Sequence, residues 1–206
     1  DMTSNFVEKV SETTFNAGTT TSISTTTLTN GNILIAYQDG SSSNYGNFVI
    51  YDSLGKIVVS ETTFNAGTTN FPSATTLTNG NILIAYRDGS SSDYGNFVIY
   101  DSAGNLVKSE TTFNAGTTAT PSTTTLTNGN ILIVYTDEGS SEIGNFVIYD
   151  SSGNEVVSET TFNSGVTYNP STTTLTNGNI LIAYTDNDSS DYGNFVIYDS
   201  AGNLVK

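Results

Sequence analysis

Residues 171–206 read STTTLTNGNILIAYTDNDSSDYGNFVIYDSAGNLVK, and near copies of this stretch occur three times before it. The motif SETTFN marks the period, which is 49 residues, because the motif begins at Ser11, Ser60, Ser109 and Ser158. A leader, residues 1–10, therefore precedes four repeats, residues 11–59, 60–108, 109–157 and 158–206. A fixed period of this size is typical of solenoids, propellers and arrays of small units.

Each repeat contains four short runs that we interpret as strands. In the last copy, Ser171–Thr176 is rich in threonine, and Asn177-Gly178 then supplies the residue pair typical of a tight hairpin turn. Ile180–Tyr184 and Phe195–Tyr198 follow as the second and third strands. The fourth strand continues into the next repeat, as in Val156–Phe162.

The pattern of apolar residues chooses among the repeat architectures. ILIAY and FVIY are apolar at every position, which indicates strands buried on both faces. The first and fourth strands mix threonine, serine and glutamate with single apolar residues, as the inner and outer strands of a blade would. The sequence therefore predicts an all-β fold, a β-propeller of four near-identical four-stranded antiparallel blades in a single domain, residues 11–206.

The repeat frame also predicts how the ring closes. Asn203–Lys206 begin the outer strand of the last blade, and the matching end of that strand is Ser11–Phe15. We expect Glu12–Phe15 to lie beside Phe195–Tyr198 in a closed monomer, since this pairing covers an exposed edge. The same frame allows two chains to exchange these ends in an eight-bladed dimer.

The stretch PSTTTLTNGNILIAY, residues 170–184, resembles the first two strands of blades in sialidase-like propellers. The resemblance implies the propeller fold. Sialidases hold the substrate carboxylate with a cluster of arginines, whereas Arg87 is the only arginine here. The enzymatic part of the resemblance is therefore not carried over to this chain.

Composition excludes several function classes. The chain has 20 acidic and 5 basic residues, a net charge of −15, which disfavours nucleic acid and anionic lipid as partners. It has no cysteine and no histidine, which removes the usual zinc ligands and the usual catalytic base. We therefore expect a protein that is not an enzyme and does not insert into membranes. Its richness in Thr, Ser, Asn and Gly is typical of extracellular or cell-surface proteins.

The repeats differ mainly in the loop between the second and third strands and in the segment that enters each first strand. Both are expected at the same end of the blades, where varied loops on a rigid scaffold form binding surfaces. Exposed aromatic residues there can stack on sugar rings. The candidate ligand-binding residues are Asp39, Tyr45, Phe71, Asp88, Tyr94, Asp137, Tyr168, Asp186 and Tyr192. Unconstrained loop drift explains the same variation, and Tyr37, Tyr86, Tyr135 and Tyr184 on the second strands are expected in the core.

No cofactor is required by this sequence, although one loop carries a calcium pattern. DNDSSD, residues 186–191, offers oxygen atoms at alternate positions, and calcium prefers six to eight oxygen ligands. Asp186, Asp188 and Asp191 are the candidate ligands. Asp and Ser are also ordinary turn formers, and the other three loops do not reproduce the pattern.

Two functions remain open from the sequence. The first is a binding module, lectin-like, with up to four weak sites on the loop face for glycans or another surface protein. The second is a structural spacer, one segment of a larger surface or adhesin protein with no ligand of its own.

Overall fold

The computed structural model describes residues 10–206, so residues 1–9 of the predicted leader lie outside the described part of the chain. Strands dominate, and the helical elements in this part are two short 3-10 turns, Glu138–Ser140 and Asn187–Ser189. Among these residues no helix has the length and apolar character needed to cross a membrane. The all-β class predicted from the repeat is confirmed.

The strands of each repeat are antiparallel neighbours in order of sequence, and the first of them is the inner strand of its blade. The first blade comprises β1 (Thr20–Thr27), β2 (Ile33–Asp39), β3 (Tyr45–Tyr51) and β4 (Ile57–Asn65). The second comprises β5 (Thr69–Thr76), β6 (Ile82–Asp88), β7 (Tyr94–Tyr100) and β8 (Leu106–Asn114). The other strands are β9 (Thr118–Thr125), β10 (Ile131–Asp137), β11 (Ile143–Tyr149), β12 (Glu155–Thr174), β13 (Ile180–Asp186) and β14 (Tyr192–Tyr198).

One strand, β12, serves two blades. Up to Val166 it pairs with β11 as the outer strand of the third blade, and from Thr167 it pairs with β13 as the inner strand of the fourth. The described chain therefore has three sheets, two of four strands and one of six, where the sequence predicted four separate sheets. Val166 pairs with Ile143, whereas the other repeats carry Thr and Tyr at these positions, and this pair extends the ladder of the third blade up to the residue before Thr167.

The second and third strands of each blade are apolar on both faces, and each buried face packs against a neighbouring blade. Between the first and second blades the core joins Leu34, Phe48 and Ile50 to Ile82 and Tyr100, all at most 6% exposed. The next two junctions reuse the equivalent positions. Burial of a large apolar side chain stabilises by about 1.5–3 kcal/mol, so these junctions supply most of the driving force for folding.

Two aromatic pairs recur at every junction between blades. The third-strand phenylalanine meets the third-strand tyrosine of the next blade, with ring centroids 4.8–4.9 Å apart in Phe48–Tyr100, Phe97–Tyr149 and Phe146–Tyr198. The outer-strand phenylalanine meets the second-strand tyrosine of the next blade at 5.1–5.2 Å in Phe64–Tyr86, Phe113–Tyr135 and Phe162–Tyr184. Tilted and edge-on rings at such distances add about 0.5–1.5 kcal/mol per pair beyond area burial.

The second-strand tyrosines also donate a hydrogen bond to a glutamate on the outer strand of their own blade. The distances are 2.5–2.6 Å in Tyr37–Glu61, Tyr86–Glu110 and Tyr135–Glu159. These three tyrosines are fully buried, as predicted, whereas Tyr184 is half-buried and its blade carries no outer-strand glutamate. The buried polar tips of the first three are therefore satisfied by charged acceptors.

The threonine-rich inner strands are joined by side-chain hydroxyls. Thr26 bonds Thr76 at 3.0 Å, and the equivalent bonds Thr75–Thr125 and Thr124–Thr174 measure 3.2 and 3.3 Å. A serine hydroxyl also accepts the backbone N–H of the next inner strand, in the pairs Ser24–Ala74, Ser73–Thr123 and Ser122–Thr172. We call these bonds the hydroxyl ladder. It explains the threonine arrays, because the inner strands of adjacent blades lie side by side and their buried polar groups need hydrogen-bond partners.

The blades form an arc, and the predicted closure is wrong in this structure. Glu12–Phe15 does not pair with Phe195–Tyr198; instead Phe15 packs on Tyr37, with centroids 5.1 Å apart, as Phe64 does on Tyr86. The free edge of β14 is paired only in part, through backbone hydrogen bonds between Ile197 and residues 205–206. The segment follows the first blade because its phenylalanine binds there, which leaves the end face of the fourth blade open, with Phe195 51% exposed.

The tyrosine–glutamate bond gives a stability prediction. Replacing Tyr86→Phe keeps the ring but removes the donor to Glu110, and we expect a loss of about 1–2 kcal/mol because the acceptor is charged. The matched control is Tyr100→Phe in the same blade, whose hydroxyl makes no hydrogen bond within residues 10–206. Urea unfolding measures both variants; equal losses in the two would contradict a specific contribution from the bond.

Stability is expected to fall in alkaline solution. Burial, followed by the hydrogen bond to its glutamate, raises the pKa of Tyr86 and of Tyr135 well above the usual value of 10.0, and burial raises the pKa of Tyr149 to about 12. The folded state thus keeps protons that the unfolded chain releases. The free energy of unfolding should therefore decline as pH rises above 10, by about 1.4 kcal/mol per pH unit for each such tyrosine. Thermal melts between neutral pH and pH 11.5 or so measure this; a flat profile would contradict it.

Candidate functional site

Each inner strand has a bulge at the same place, and the bulges create the most distinctive backbone in the chain. The residue at the bulge has a positive φ of 44–52° in all four repeats, at Ser22, Phe71, Thr120 and Asn169. Left-handed backbone is uncommon for non-glycine residues and costs of order 1–3 kcal/mol, and such strain is concentrated at functional sites. The loops between the second and third strands also contain two consecutive positive-φ residues in every repeat, so left-handed backbone recurs throughout this end of the blades.

The four bulges surround one cavity of about 340 Å³. Ile23 or a proline follows each bulge residue; proline fits because it has no N–H to leave unpaired where strand pairing is interrupted. The lining residues are Ser22, Ile23, Phe71, Pro72, Thr120, Pro121, Asn169 and Pro170. The segment that varies most between the repeats therefore forms a single site shared by all four blades.

The loops between the second and third strands lie beside these entering segments, as the sequence predicted. Gly40 and Gly89 each donate a backbone hydrogen bond to the preceding segment, at 2.8 and 2.7 Å, and Ser90 Oγ accepts one from Thr68 N–H at 2.7 Å. The loops and bulges together form one end of the arc. Sequence differences in the loops and in the entering segments therefore change the same surface of the molecule.

Arg87 joins two blades at this end. Its guanidinium lies 5.9 Å from the ring centroid of Phe71, in cation–π range, and its Nε bonds Asp93 at 2.7 Å. Its Nη1 lies 3.5 Å from Glu138 Oε2 of the third blade. The single arginine of the chain thus holds Phe71, which is 40% exposed, at the wall of the cavity.

A second bridge joins the third and fourth blades. Tyr168 donates to Glu142 at 3.1 Å and is 38% exposed. The hydrogen bond to Glu142 raises the pKa of Tyr168 above its usual value. Sequence reasoning selected Phe71 and Tyr168 but did not recognise Arg87 or Glu142 as their partners; the single arginine, next to a varied loop, was the available signal.

The aspartates at the ends of the second strands are buried beneath the loops that follow them. Asp39, Asp88 and Asp137 are 4–6% exposed, and Asp39 and Asp88 each accept the backbone N–H two residues ahead at 2.9 Å. Burial raises the pKa of Asp39, but hydrogen bonds from Ser42, Ser41 and Asn16 outweigh it, and the pKa is lowered overall. The carboxylates of Asp39 and Asp88 therefore hold their loops from below the surface, and none of the three aspartates lines the cavity.

The remaining candidates are spread over the same end. Tyr45 and Tyr94 are half-buried at the start of their strands, and Tyr192 is 64% exposed. None of the three lines the cavity. Of the aromatic residues proposed from the sequence, the structure brings only Phe71 into the cavity wall.

The three candidate calcium ligands are not gathered into one cluster. Asp186 accepts a hydrogen bond from Asn194 at 3.2 Å, and Asp188 accepts the Val166 N–H at 3.2 Å. Within residues 10–206, no group of three or more acidic, histidine or cysteine side chains has the arrangement of a metal site. Both hydrogen-bonded carboxylates thus act within the fourth-blade loop and the strand next to it.

Comparison with solved structures shows the fold. A Dyadobacter fermentans protein described as of unknown function aligns with a TM-score of 0.61 at 14% identity, over 89% of this chain and 66% of that one. A polysaccharide lyase described as an ulvan lyase aligns at 0.58 and 12%, over 87% and 56%. NanB sialidase from Streptococcus pneumoniae aligns at 0.57 and 14%, over 83% and 28%. The chain therefore spans less than two thirds of the length of these proteins.

At such identities these matches establish the fold alone. No protein-family profile matches the chain, and no curated protein does. The resemblance to sialidase-like propeller blades, predicted from residues 170–184, is confirmed at the level of the fold.

Calcium removal should leave the fold intact. The bonds that hold the fourth-blade loop are made by protein groups, Asn194 and the Val166 N–H, so we expect no change in melting temperature when a chelator is added. Differential scanning calorimetry with and without the chelator measures this. A clear drop in melting temperature would assign a metal to Asp186, Asp188 and Asp191.

Proposed function

We propose that this protein is an extracellular, non-enzymatic carbohydrate-binding module whose site is the cavity surrounded by the four bulges. The observation that carries the proposal is the match between sequence variation and position. The repeats keep the TNGN hairpin and the core, and they differ at the positive-φ residues that line this cavity; the hairpin after the third strand, at the other end of the blades, also varies.

The lining chemistry suits a sugar. The exposed Phe71 ring offers an apolar face for the C–H side of a pyranose, and Ser22 and Asn169 offer a hydroxyl and an amide group for its hydroxyls. Several solved structures with this fold are described as polysaccharide lyase, sialidase or arabinanase, which supports the same ligand class. The convergence of four blades on one cavity favours one composite site over four separate weak ones.

The charge of the protein restricts the sugar further. A net charge of −15 repels acidic polysaccharides, and Arg87 is already paired with Asp93 and Glu138. An uncompensated cation for a uronate or sulfate group is therefore not supplied by this arginine. The proposed ligand is a neutral glycan.

The proposal of no catalysis rests on the residues around the cavity and on the sequence. Glycoside hydrolysis needs a pair of carboxyl groups at the substrate, and the residues that line this cavity are Ser, Ile, Phe, Pro, Thr and Asn. The sequence also has no histidine to act as a general base.

A glycan array tests the function. We expect selective binding to neutral glycans, and Phe71→Ala should weaken it about tenfold or more, since loss of a stacking aromatic costs above 1 kcal/mol. The matched control is Tyr192→Ala, an aromatic that is more exposed but does not line the cavity, and it should bind like the parent protein. Arrays with and without calcium separate metal-dependent recognition. Silence on the array with folded protein would favour the structural spacer.

A further inference from the structure

Every repeat places an asparagine among the apolar residues of its third strand, in the sequence GNFVIY. In the first three blades these are Asn47, Asn96 and Asn145, which are at most 1% exposed. The side-chain oxygen of each is buried and has no hydrogen-bond partner among residues 10–206. A buried polar group without a partner is costly, so these asparagines need an explanation that apolar packing does not give.

The aspartate that ends the second strand lies beside this asparagine. In the third blade Asn145 pairs with Tyr135 across the sheet, and Asp137 is two residues further along the same strand, so its side chain is on the same face. In the fourth blade the equivalent side chains touch, since Asn194 Nδ2 donates to Asp186 Oδ2 at 3.2 Å. The two positions are therefore close enough to bind one small ligand together.

The third blade differs from the first two at this aspartate. In the first two blades its Oδ1 accepts the backbone N–H two residues ahead, from Ser41 or Ser90, at 2.9 Å. The third blade has Gly139 there, and the N–H of Gly139 bonds the backbone oxygen of Thr117 at 3.3 Å instead. The 3-10 turn that contains Gly139 thus removes the donor that the other two loops supply.

Two buried side chains of the third blade consequently have unpaired atoms that face each other's position. Asp137 is 4% exposed and its Oδ1 has no partner within residues 10–206, and neither Oδ1 nor Nδ2 of Asn145 has one. Both ion pairs of the described chain are made by Arg87, and neither involves Asp137. A buried carboxylate without a counter-ion is far more costly than a neutral carbonyl in the same place.

Glycines keep space around this carboxylate. Asp137 Oδ1 lies 2.9 Å from the position that a Cβ would take on Gly116 and 3.1 Å from the corresponding position on Gly139. Asn114 Oδ1 lies 3.3 Å from the same point on Gly116, and Asn114 is 7% exposed. A third buried side-chain oxygen is therefore close to the Asp137 carboxylate.

We propose that Asp137 and Asn145, with Asn114 beside them, bind a monovalent alkali cation such as sodium. Hard cations take carboxylate and carbonyl oxygens as ligands. The site supplies one negative charge and otherwise neutral oxygens, which matches a charge of +1 better than the charge of calcium. Ligation through Oδ1 leaves Asn145 Nδ2 to donate to the other carboxylate oxygen, as Asn194 does to Asp186.

The bound cation has a structural consequence at the loop end of the blades. It joins the turn Glu138–Ser140 to the segment 115–117, which enters the third blade. The same turn carries Glu138, whose Oε2 lies 3.5 Å from Arg87 Nη1 of the second blade. The cation therefore stabilises the loop through which the second and third blades are bridged. This inference does not depend on the proposed carbohydrate ligand.

Thermal melts in sodium, potassium and choline chloride at equal ionic strength test the proposal, because choline is too large for a buried site. We expect a melting temperature higher by about 2 °C or more in at least one alkali chloride than in choline chloride, increasing with the alkali concentration. A chelator of divalent ions should leave this difference unchanged. Equal melting in the three salts would overturn the proposal in favour of bound water, and loss of the difference with the chelator would overturn the monovalent assignment.

A matched pair of variants locates the effect. Asp137→Asn removes the charge at the proposed site, whereas Asp88→Asn makes the same change where Ser90 N–H already serves the carboxylate. We expect the difference between alkali and choline salts to vanish in Asp137→Asn and to persist in Asp88→Asn, whatever each does to overall stability. Persistence in Asp137→Asn, or loss in both, would contradict a site at Asp137.

Crystals of the unchanged protein give a readout that needs no variant to fold. Rubidium is an alkali cation with strong anomalous scattering, so crystals soaked in rubidium chloride show where such an ion binds. We expect an anomalous peak within bonding distance of Asp137 and Asn145. Peaks confined to surface carboxylates, or no peak, would overturn the proposal.

Discussion

The structure depends on the contact between adjacent blades. A four-stranded sheet with ILIAY and FVIY at its centre is apolar on both faces, so it cannot be stable with only one face covered. Phenylalanine and tyrosine pairs meet the same requirement at each of three junctions, with nearly constant centroid distances. The hairpins, the hydroxyl ladder and the tyrosine–glutamate bonds all hold residues in the register that this contact needs. The contact leaves the ends of the blades free, and the proposed site lies at one of these ends.

Much of the blade could be predicted from the sequence, because the signals are local. Five consecutive apolar residues predict a strand that is buried on both faces. Glycine at position 202 predicts a left-handed turn residue, and its φ is 82°. Closure could not be predicted in this way. The angle between blades is the outcome of many side-chain contacts, and nearly identical repeats give the same pattern for a closed ring and for an arc. The continuous β12 was also missed, because it depends on Val166 and Ile143 meeting across two strands.

The candidate site was predictable in outline only. Comparison of the repeats identified the surface, since the TNGN hairpins were constant and the entering segments were not. This comparison could not show that the aspartates lie beneath the loops while Phe71 faces the cavity. The direction of each side chain depends on the local backbone conformation, which the comparison of repeats does not reveal. The positive φ of Phe71 is the clearest case: bulky aromatic residues rarely take this conformation, so no propensity argument predicts it. Arg87 depends on a partner in the next blade, Glu138, and such a pairing exists only once the blades are packed.

The long strand β12 affects how the molecule comes apart. Chains built from stacked repeats generally lose order one unit at a time, because each unit touches only its neighbours. Here the outer strand of the third blade and the inner strand of the fourth are one continuous backbone, so fraying of the fourth blade is mechanically tied to the third. At the other two junctions a short segment, 66–68 or 115–117, separates the corresponding strands, so those blades share side-chain contacts but no strand. Of the three junctions, only the one between the third and fourth blades includes a shared strand. We therefore expect these two blades to unfold more cooperatively than the first two.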